Sequence, residues 1–545
     1  MTLFATALAV NALILCVYSK RPLHILQLNN YRSGEYFAHL WREKRKFVPE
    51  FAVSAGGAAA ALAFYLLFPK HEIGFYSIGL SPYFSAAIGL TLKTLLVKTK
   101  KPPVFTARLK RLYGIHCASI VLLHALYIAL SFIFSFQFSV FSSYILVPCT
   151  LFALPPLAAL SALAAAPVEN RINRRFILAA RRKLDTMPDL IRIGITGSFG
   201  KTSVKNFLAA MLAGTFKVCA SPASFNTPLG LAKTVNENLK PDDRILIAEM
   251  GARKVGDIRE LCALIRPQYG ILNIVGVQHL ATFKTEKNIL RAKYELIEGL
   301  APPALAVFNC DGEKTALLYE RYSGEKRAVG GAPVHAKARD RDDSYGRYDL
   351  SYKNVRTTAE GSSFTLRYGE QNIRCATRLL GEHNVSNLCA AAALALELGV
   401  PASAIAEAVK TVAPVPHRLE LIRSGGGVTV IDDAYNSNPD GFRAAVYVLS
   451  RFAGGRRILI TPGFAEMGAK TREENRNAGA CAVSGADILL ALGSGGSDLA
   501  DGWLSANGAA DGVFVLPDLN AAAEWIKRNA RAGDAVLFEN DIPDF

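Results

Sequence analysis

Apolar and polar positions follow two different rules along this chain. Between residues 1 and 170 the apolar residues run on almost without interruption, in five stretches near 2–18, 51–68, 75–97, 115–136 and 140–168. Each approaches or exceeds the roughly 17–25 residues that a membrane-spanning helix requires. The first has no basic residue ahead of it and no small-residue cleavage site, so it reads as a span and not as a cleaved leader. From about residue 190 the pattern changes to short β-rich runs alternating with Ala/Leu-rich helical runs. The spacing predicts strands at 191–196, 244–249, 270–275 and 428–432, with helices at 202–212 and 387–398. Near 344–374, Phe364, Leu366 and Tyr368 alternate with Thr365 and Arg367, the period of a half-buried antiparallel strand. After 455 the alternation resumes, with strands at 457–461, 486–492, 513–516 and 535–538 and a helix at 520–529. Such alternation is the signature of parallel sheets covered by helices. Pro414 and Pro416 mark the break between two such domains. The predicted organisation is an α-helical membrane domain of five transmembrane helices (1–170), a basic linker (171–189), an α/β domain (190–413) and a Rossmann-like α/β domain (414–545).

Charge sharpens this division. The 545 residues carry 62 Lys and Arg against 46 Asp and Glu, a net +16, with 51% hydrophobic residues. Residues 1–183 hold 21 basic and 5 acidic residues, so the remainder holds 41 of each. A nucleic-acid-binding protein would not interleave its basic excess with long apolar runs, whereas a membrane domain does. No nucleic-acid partner is expected. The basic residues alternate between loops: Lys20, Arg21, Arg32, Arg42, Lys44, Arg45 and Lys46 after the first stretch, then Lys98, Lys100, Lys101, Arg108, Lys110 and Arg111 after the third. A third group, Arg171 to Lys183, follows the fifth stretch, while the intervening loops hold Lys70 or nothing. Positive charge stays on the cytoplasmic side, so the N-terminus is expected outside the cytoplasmic membrane and everything after Arg171 inside. The nine cysteines include no CxxC pair, and suggest neither a zinc site nor a disulfide framework.

The most specific chemistry lies in Gly194-Ile195-Thr196-Gly197-Ser198-Phe199-Gly200-Lys201-Thr202-Ser203, between a predicted strand and a predicted helix. Glycines let backbone N–H groups approach phosphate oxygens, and the helix N-terminus favours anions. Lys201 supplies a counter-charge and the Thr202 hydroxyl can hold Mg²⁺. The strict GxxxxGK[ST] spacing would place glycine at 195, where isoleucine stands.

These residues resemble the phosphate loop of the Mur ligase family, ATP-dependent amide ligases of peptidoglycan precursor synthesis. Further motifs follow in the family's order: Ser224-Phe225-Asn226-Thr227 with Gly230, Glu249-Met250-Gly251-Ala252, Asn273 with Gly276 and His279, and Ala292-Lys293-Tyr294-Glu295. Then come Gly381-Glu382-His383-Asn384-Val385-Ser386-Asn387, Arg418-Leu419-Glu420, and Asp432-Asp433-Ala434-Tyr435-Asn436-Ser437-Asn438-Pro439. The wording is nearest to the branch that adds D-alanyl-D-alanine to a muramoyl peptide. The resemblance covers residues 190–540 and implies a central ATP-binding domain followed by the family's C-terminal domain.

It also implies roles. Gly197, Ser198, Gly200, Lys201, Thr202 and Ser203 would hold the phosphates of ATP, with Thr202, Glu249 and His279 as ligands to Mg²⁺. Phosphoryl transfer needs such metals and cations to neutralise spreading charge. Lys293 resembles a lysine that several members carry as a carbamate; a solvated helical lysine is the plain alternative. Asn384 and Asn387 would reach the adenine, or else cap a helix. Arg418 would clamp phosphate and Asp433 would touch the ribose or a bridging residue, both from the domain junction, with Asn436 also at the nucleotide; an ordinary charged strand end is the plain alternative for Asp432 and Asp433. Lys201, Lys293, His279 and Arg418 are the catalytic candidates.

Three departures concern the acceptor. His417 stands where a glycine is usual, Asn475 where a histidine is expected, and Phe538-Glu539-Asn540-Asp541 where many relatives have Lys-Gly-Ser. A membrane domain also occupies the place of the family's UDP-sugar-binding domain. The expected reaction joins an amine donor to a muramoyl-peptide acceptor through an acyl phosphate. A lipid-linked or polymeric acceptor such as poly-γ-glutamate is the second reading, and a non-ligase ATP-binding membrane scaffold or transporter the third.

Overall fold

The computed structural model describes residues 2–29, 31–68, 76–96, 102–131, 133, 136–222, 225–276, 280–331, 348–358, 360–423, 427–434, 438–464, 467 and 470–540. The chain divides into two compact units that meet at 174/175.

The first unit is helical: α1 (Thr2–Tyr18), α2 (Lys20–Leu28), α3 (Ser33–Arg42), α4 (Val48–Leu67), α5 (Tyr76–Leu96), α6 (Ala107–Ser131) and the greater part of α7 (Phe136–Asp185). Four helical segments are long and apolar enough to cross a membrane: Phe4–Leu28, Val48–Leu67, Ala107–Ser131 and Phe141–Asp185. The remaining predicted span forms α5, which carries Ser81, Pro82, Thr91, Lys93 and Thr94 and is not among the four.

Polarity in this unit is turned inside out. Asn11 sits fully buried, where its amide donates to Thr150 Oγ1 at 2.9 Å and its carbonyl accepts from Tyr83 at 2.9 Å. His124 Nε2 completes the cluster, 3.0 Å from the same amide. Glu50, also buried, accepts from the Tyr18 hydroxyl and pairs with Arg21; Arg111 grips Glu169 with two bonds of 2.7 and 2.8 Å. The outer surface instead shows Leu66, Leu67, Leu96, Leu122 and Ile133. Water-facing bundles do the opposite, since buried polar groups must find partners and wide apolar patches are rare on soluble surfaces.

Most of the basic linker is helical. α7 continues to Asp185, because Phe176, Ile177, Ala180 and Leu184 recur at helical spacing among the arginines. In the second unit these four pack with Leu190, Leu231, Val235 and Leu261.

The second unit holds two sheets. The first has order β2-β3-β1-β4-β5-β6-β7-β8-β9. Its parallel strands are β1 (Ile191–Thr196), β2 (Val218–Ala220), β3 (Ile245–Glu249), β4 (Tyr269–Leu272), β5 (Leu305–Asn309) and β6 (Glu325–Gly331). β7 (Leu350–Thr358) joins parallel to β6, then β8 (Gly361–Tyr368) and β9 (Gln371–Thr377) pair antiparallel. The antiparallel strands thus extend the central sheet. β2, β5 and β6 have no counterpart among the predicted strands. β3 and β5 are buried throughout, as the near-continuous apolar runs of strands covered on both faces require. The second sheet has order β10-β11-β15-β12-β13-β14, with β10 (Glu420–Arg423) antiparallel to β11 (Thr429–Asp433). β12 (Arg457–Thr461), β13 (Ile488–Leu492), β14 (Val513–Leu516) and β15 (Ala535–Glu539) are parallel. In the first sheet the strand order reverses beside β1, and clefts outside the carboxyl ends of strands at such a point are where open α/β sheets bind ligands.

Candidate functional site

β1 ends at the glycine loop, and α8 (Lys201–Leu212) begins directly after it. Ile195 stands inside β1, so the turn starts at Gly197 and is two residues shorter than the strict spacing would make it. Gly200 has φ 72°, and a Cβ there would lie 2.3 Å from Asn387 Oδ1 and 2.4 Å from Asn273 Nδ2. Only glycine serves at that position. The loop is anchored from β4: Ser198 N–H donates to Ile274 O at 2.9 Å, and Asn273 Nδ2 donates to Phe199 O at 2.9 Å. Asn273 also donates to Asn387 Oδ1 at 2.7 Å and accepts from Asn309 at 2.7 Å. Asn309 and Asp311 then bond to Ser386, and Tyr352 donates to Asp311 at 2.9 Å. A buried polar chain therefore runs from the loop to β7. Ser203 is buried in the first turn of α8.

Lys201 curls over its own loop, donating to Gly197 O at 2.9 Å and Ser198 O at 3.1 Å. Burial pushes its amine down to about 8, against the pull of Glu249 and with help from Arg418. Thr202 Oγ1 donates to Glu249 Oε2 at 3.0 Å, across from α8 to the end of β3. Lys205, one turn further along α8 and almost fully buried, donates to the same oxygen at 3.2 Å, and Asn226 donates to Oε1 at 3.1 Å. The pairing of Thr202 with Glu249 brings together a hydroxyl and a carboxylate, both hard oxygen donors of the kind Mg²⁺ takes. Among the described residues no group of three or more His, Cys, Asp or Glu converges to hold a metal. His279 lies outside the described residues, as do Ser224 and Asn436.

Lys293 is buried in the helix Glu286–Glu298, not solvated. Burial drives its amine well below the ordinary lysine range, and the charge on Lys201 adds to this; Asp257 and Glu249 oppose it. The glutamate of the same motif does structural work. Glu295 accepts from Gly256 N–H at 2.6 Å and Arg259 N–H at 3.1 Å, capping the helix Asp257–Ile265.

The helix predicted from residue 387 begins at Glu382, so Asn384 and Asn387 both lie within it and Gly381 is its cap. Asn384 Nδ2 donates to Leu380 O at 2.9 Å. His383 is pushed down to about 4, by burial and then by Arg418, and its Nδ1 has no hydrogen-bond partner.

Arg418 stands on a strained turn. His417 has φ 61° and Leu419 φ 45°, a left-handed backbone that costs of order 1–3 kcal/mol for each non-glycine residue. This explains why glycine suits position 417. Here the histidine keeps the conformation, and Nδ1 lies 2.8 Å from Asp432 Oδ2. Its N–H donates to Glu420 at 3.1 Å, while Leu419 N–H donates to Asp433 Oδ1 at 3.2 Å. The two aspartates are therefore more than a charged strand end: they clamp the turn that presents Arg418. Burial pushes the Asp433 carboxyl up to about 6. Glu539, its register partner on β15, is fully buried, accepts from Thr461 at 3.0 Å and is raised by burial and by Asp433. Asn475 is buried as well; it accepts from Phe464 N–H at 2.7 Å, and Asn540 Nδ2 donates to Gly463 O at 2.6 Å. Both departures from the expected residues thus stiffen one loop after β12.

The sequence reading missed Lys205, Asn309 and Asp311 as parts of the site. Lys205 had a signal, since it follows Lys201 by four residues and so shares its helix face. Asn309 and Asp311 had none, because β5 was not recognised as a strand.

Comparison with known proteins places this geometry. The Mur ligase middle domain matches residues 195–395, and the Mur ligase, glutamate ligase domain matches residues 417–539. UDP-N-acetylmuramoyl-tripeptide--D-alanyl-D-alanine ligase from Mycobacterium tuberculosis (strain H37Rv) is 33% identical over 413 residues, covering 70% of this chain and 78% of that one. The protein of the same name from Escherichia coli (strain K12) is 30% identical over 302 residues, 55% of this chain and 64% of its own. Among solved structures, MurF from Acinetobacter baumannii matches with a TM-score of 0.59 at 23% identity, over 68% of this chain and 77% of that one. MurF ligase from Thermotoga maritima, in complex with ADP, matches with 0.57 at 23%, over 68% and 80%. These two structures establish a shared fold.

Proposed function

This chain belongs to the Mur ligase family, and from that premise we propose that it is an ATP-dependent amide ligase of peptidoglycan synthesis, extending a muramoyl tripeptide with D-alanyl-D-alanine. The observation that carries the reading is the convergence of Lys201, Thr202, Lys205 and Glu249 at the mouth of a glycine loop. An acceptor carboxylate oxygen attacks the γ-phosphorus of ATP, ADP leaves, and an acyl phosphate forms. The amine of the donor then attacks the acyl carbon, and phosphate departs with the former carboxylate oxygen. The two steps replace a condensation that water opposes.

In this reading Lys201 exchanges two loop carbonyls for the β- and γ-phosphates, and the loop N–H groups cradle the rest. Thr202 and Glu249 would hold Mg²⁺, which when bound neutralises charge spreading over the transferring phosphoryl group. Burial and the charge on Lys201 push the Lys293 amine well below the ordinary lysine range, towards the form that adds CO2, so a carbamate there would place a new anion beside Lys201. Asn384 would reach the nucleotide base, while Asn387, bonded to Asn273 and set against Gly200, backs the phosphate loop; Arg418 clamps phosphate, and Asp433 holds the turn that carries it. His279 and Asn436 are assigned by motif alone.

The helical unit supports a location in the cytoplasmic membrane, because it buries Asn11, Glu50 and Glu169 and turns leucines outward. With α5 as a fifth crossing, the basic loops share one side and the ligase domains lie in the cytoplasm, where ATP is. The same unit favours a second reading, in which the acceptor is presented at the membrane as a lipid-linked or polymeric chain. Purified full-length protein in detergent decides between them by ADP release. UDP-muramoyl tripeptide with D-alanyl-D-alanine should release ADP and yield the extended peptide. Release with lipid-linked peptide or polyglutamate alone would move the assignment to the second reading.

A further inference from the structure

α3 faces the wrong way for a helix in water. Its inner face is formed by Tyr36, His39 and Leu40, and Tyr36 packs with Leu23, Leu26, Leu109 and Leu112. The Tyr36 hydroxyl donates to Pro155 O at 3.3 Å, seating the helix against α7. The outer face carries Phe37 and Trp41, one turn apart, 45% and 75% exposed. A histidine is thus turned in while a tryptophan is turned out.

Three further observations bear on what covers this face. First, the flanking basic residues are exposed: Arg42 and Lys44 lie at its end, with the Lys44 ammonium 5.0 Å from the centre of the Trp41 ring. Second, Val48 and Phe51, which open α4, are exposed too, so the apolar strip continues into a helix apolar enough to cross a membrane. Third, short connectors tie α3 to two such segments: residues 29–32 follow Phe4–Leu28, and 43–47 precede Val48–Leu67. At no more than about 3.5 Å per residue, α3 cannot move far from the ends of either.

We infer that α3 is an interfacial helix, lying in the headgroup layer of an anionic leaflet with Phe37 and Trp41 at the acyl boundary. Tryptophan favours that depth because its ring is apolar and its N–H is polar. Lysine and arginine beside it meet lipid phosphates. A second protein copy would cover the apolar strip but would leave the flanking cations without anions. This inference rests on the membrane reading of the helical unit.

Trp41 tests it, since the chain has two other tryptophans, Trp503 and Trp525, both in the C-terminal α/β domain. Full-length protein is reconstituted into phosphatidylethanolamine–phosphatidylglycerol vesicles whose acyl chains are brominated close to the glycerol end. Flotation with the vesicles is scored alongside tryptophan fluorescence. The expected result is co-flotation with a quenched component that disappears in Trp41→Phe. Co-flotation with unquenched, water-like Trp41 emission would overturn the inference and leave the membrane reading standing. Blue-shifted but unquenched emission would also overturn it, showing the face covered by protein. Failure to float would overturn both. Trp41→Phe leaves the packed inner face untouched, and Phe37→Tyr provides a second variant whose quenching should match the parent protein.

Discussion

The two sheets of the α/β unit share one architecture and gather opposite kinds of ionisable side chain at their carboxyl ends. At the end of the first, Lys205 bonds to Glu249, Lys201 feels the same carboxylate, and Lys293 lies in the fields of Lys201, Asp257 and Glu249. At the end of the second, Asp433 and Glu539 sit buried side by side on adjacent strands, and the nearby cation is Arg418. Strand ends in a parallel sheet provide a place, and the side chains decide what fits there. The first edge is built for a polyanion. The second holds its acids to fix a turn, and through that turn it presents an arginine towards the first. The field of Arg418 reaches both Lys201 and His383, so the second edge lends its charge to the first.

Lys201→Ala removes the loop's own cation and should break the contrast most severely. We expect ATP turnover to fall by at least about 10³-fold, the scale of losing a group that stabilises transition-state charge. Folding should persist, since among the described residues the Lys201 amine bonds only to two carbonyls of its own loop, Gly197 and Ser198, and to no other element. Circular dichroism and an ADP-release assay on the same preparation check this; turnover within about threefold of the parent would refute the loop's role.

Lys205→Met tests whether the first edge is balanced internally. Glu249 would keep two neutral donors but lose its buried ionic partner, a change that costs about 3–5 kcal/mol. Denaturant unfolding should show it. Added Mg²⁺ should restore part of the loss, because a cation that binds only the folded state stabilises it. A neutral effect on stability would mean that the buried Lys205–Glu249 pair does not hold this edge together.

How far these edges could be read in the sequence differs between them. The loop, Lys201 and Glu249 were legible because glycine spacing, GKT and a strand-end glutamate each have a local cause, whereas Lys205 was passed over. The second edge was only half legible. Asp432 and Asp433 were recognised as a motif, yet their clamp on the Arg418 turn depends on positive φ values at His417 and Leu419 that no local pattern announces. Glu539 looked like a departure from the family because its partner, Asp433, is distant in sequence. In the helical unit the apolar stretches were plain, but the last one was cut short at 168. Its continuation to Asp185 depends on four apolar residues hidden among arginines.

Proton linkage separates the edges again, with smaller effects. Lys201 sits near pH 8 in the absence of nucleotide, so above that pH its amine is increasingly neutral and ATP must bring a proton with it. ATP affinity, measured by calorimetry in two buffers of different ionisation heat, should weaken above about pH 8 with proton uptake. Constant affinity from pH 7 to 9 would place the lysine outside the phosphate site. The second edge has the opposite sign. Asp433, raised to about 6 from an unfolded value near 3.8, is held ionised at a cost above pH 6 and at none below pH 4. Asp433→Asn should therefore raise the melting temperature by a few degrees at pH 8, and the gain should vanish as the pH falls from 6 to 4.

The central claim is that the charged first edge activates an acceptor carboxylate through an acyl phosphate, and oxygen labelling tests it most directly. Full-length protein is supplied with ATP, the amine donor and a muramoyl tripeptide whose terminal carboxylate carries heavy oxygen. The account predicts one labelled oxygen in each phosphate released, in step with amide formation. Phosphate that takes its new oxygen from water instead, with the label retained in the peptide, would contradict it.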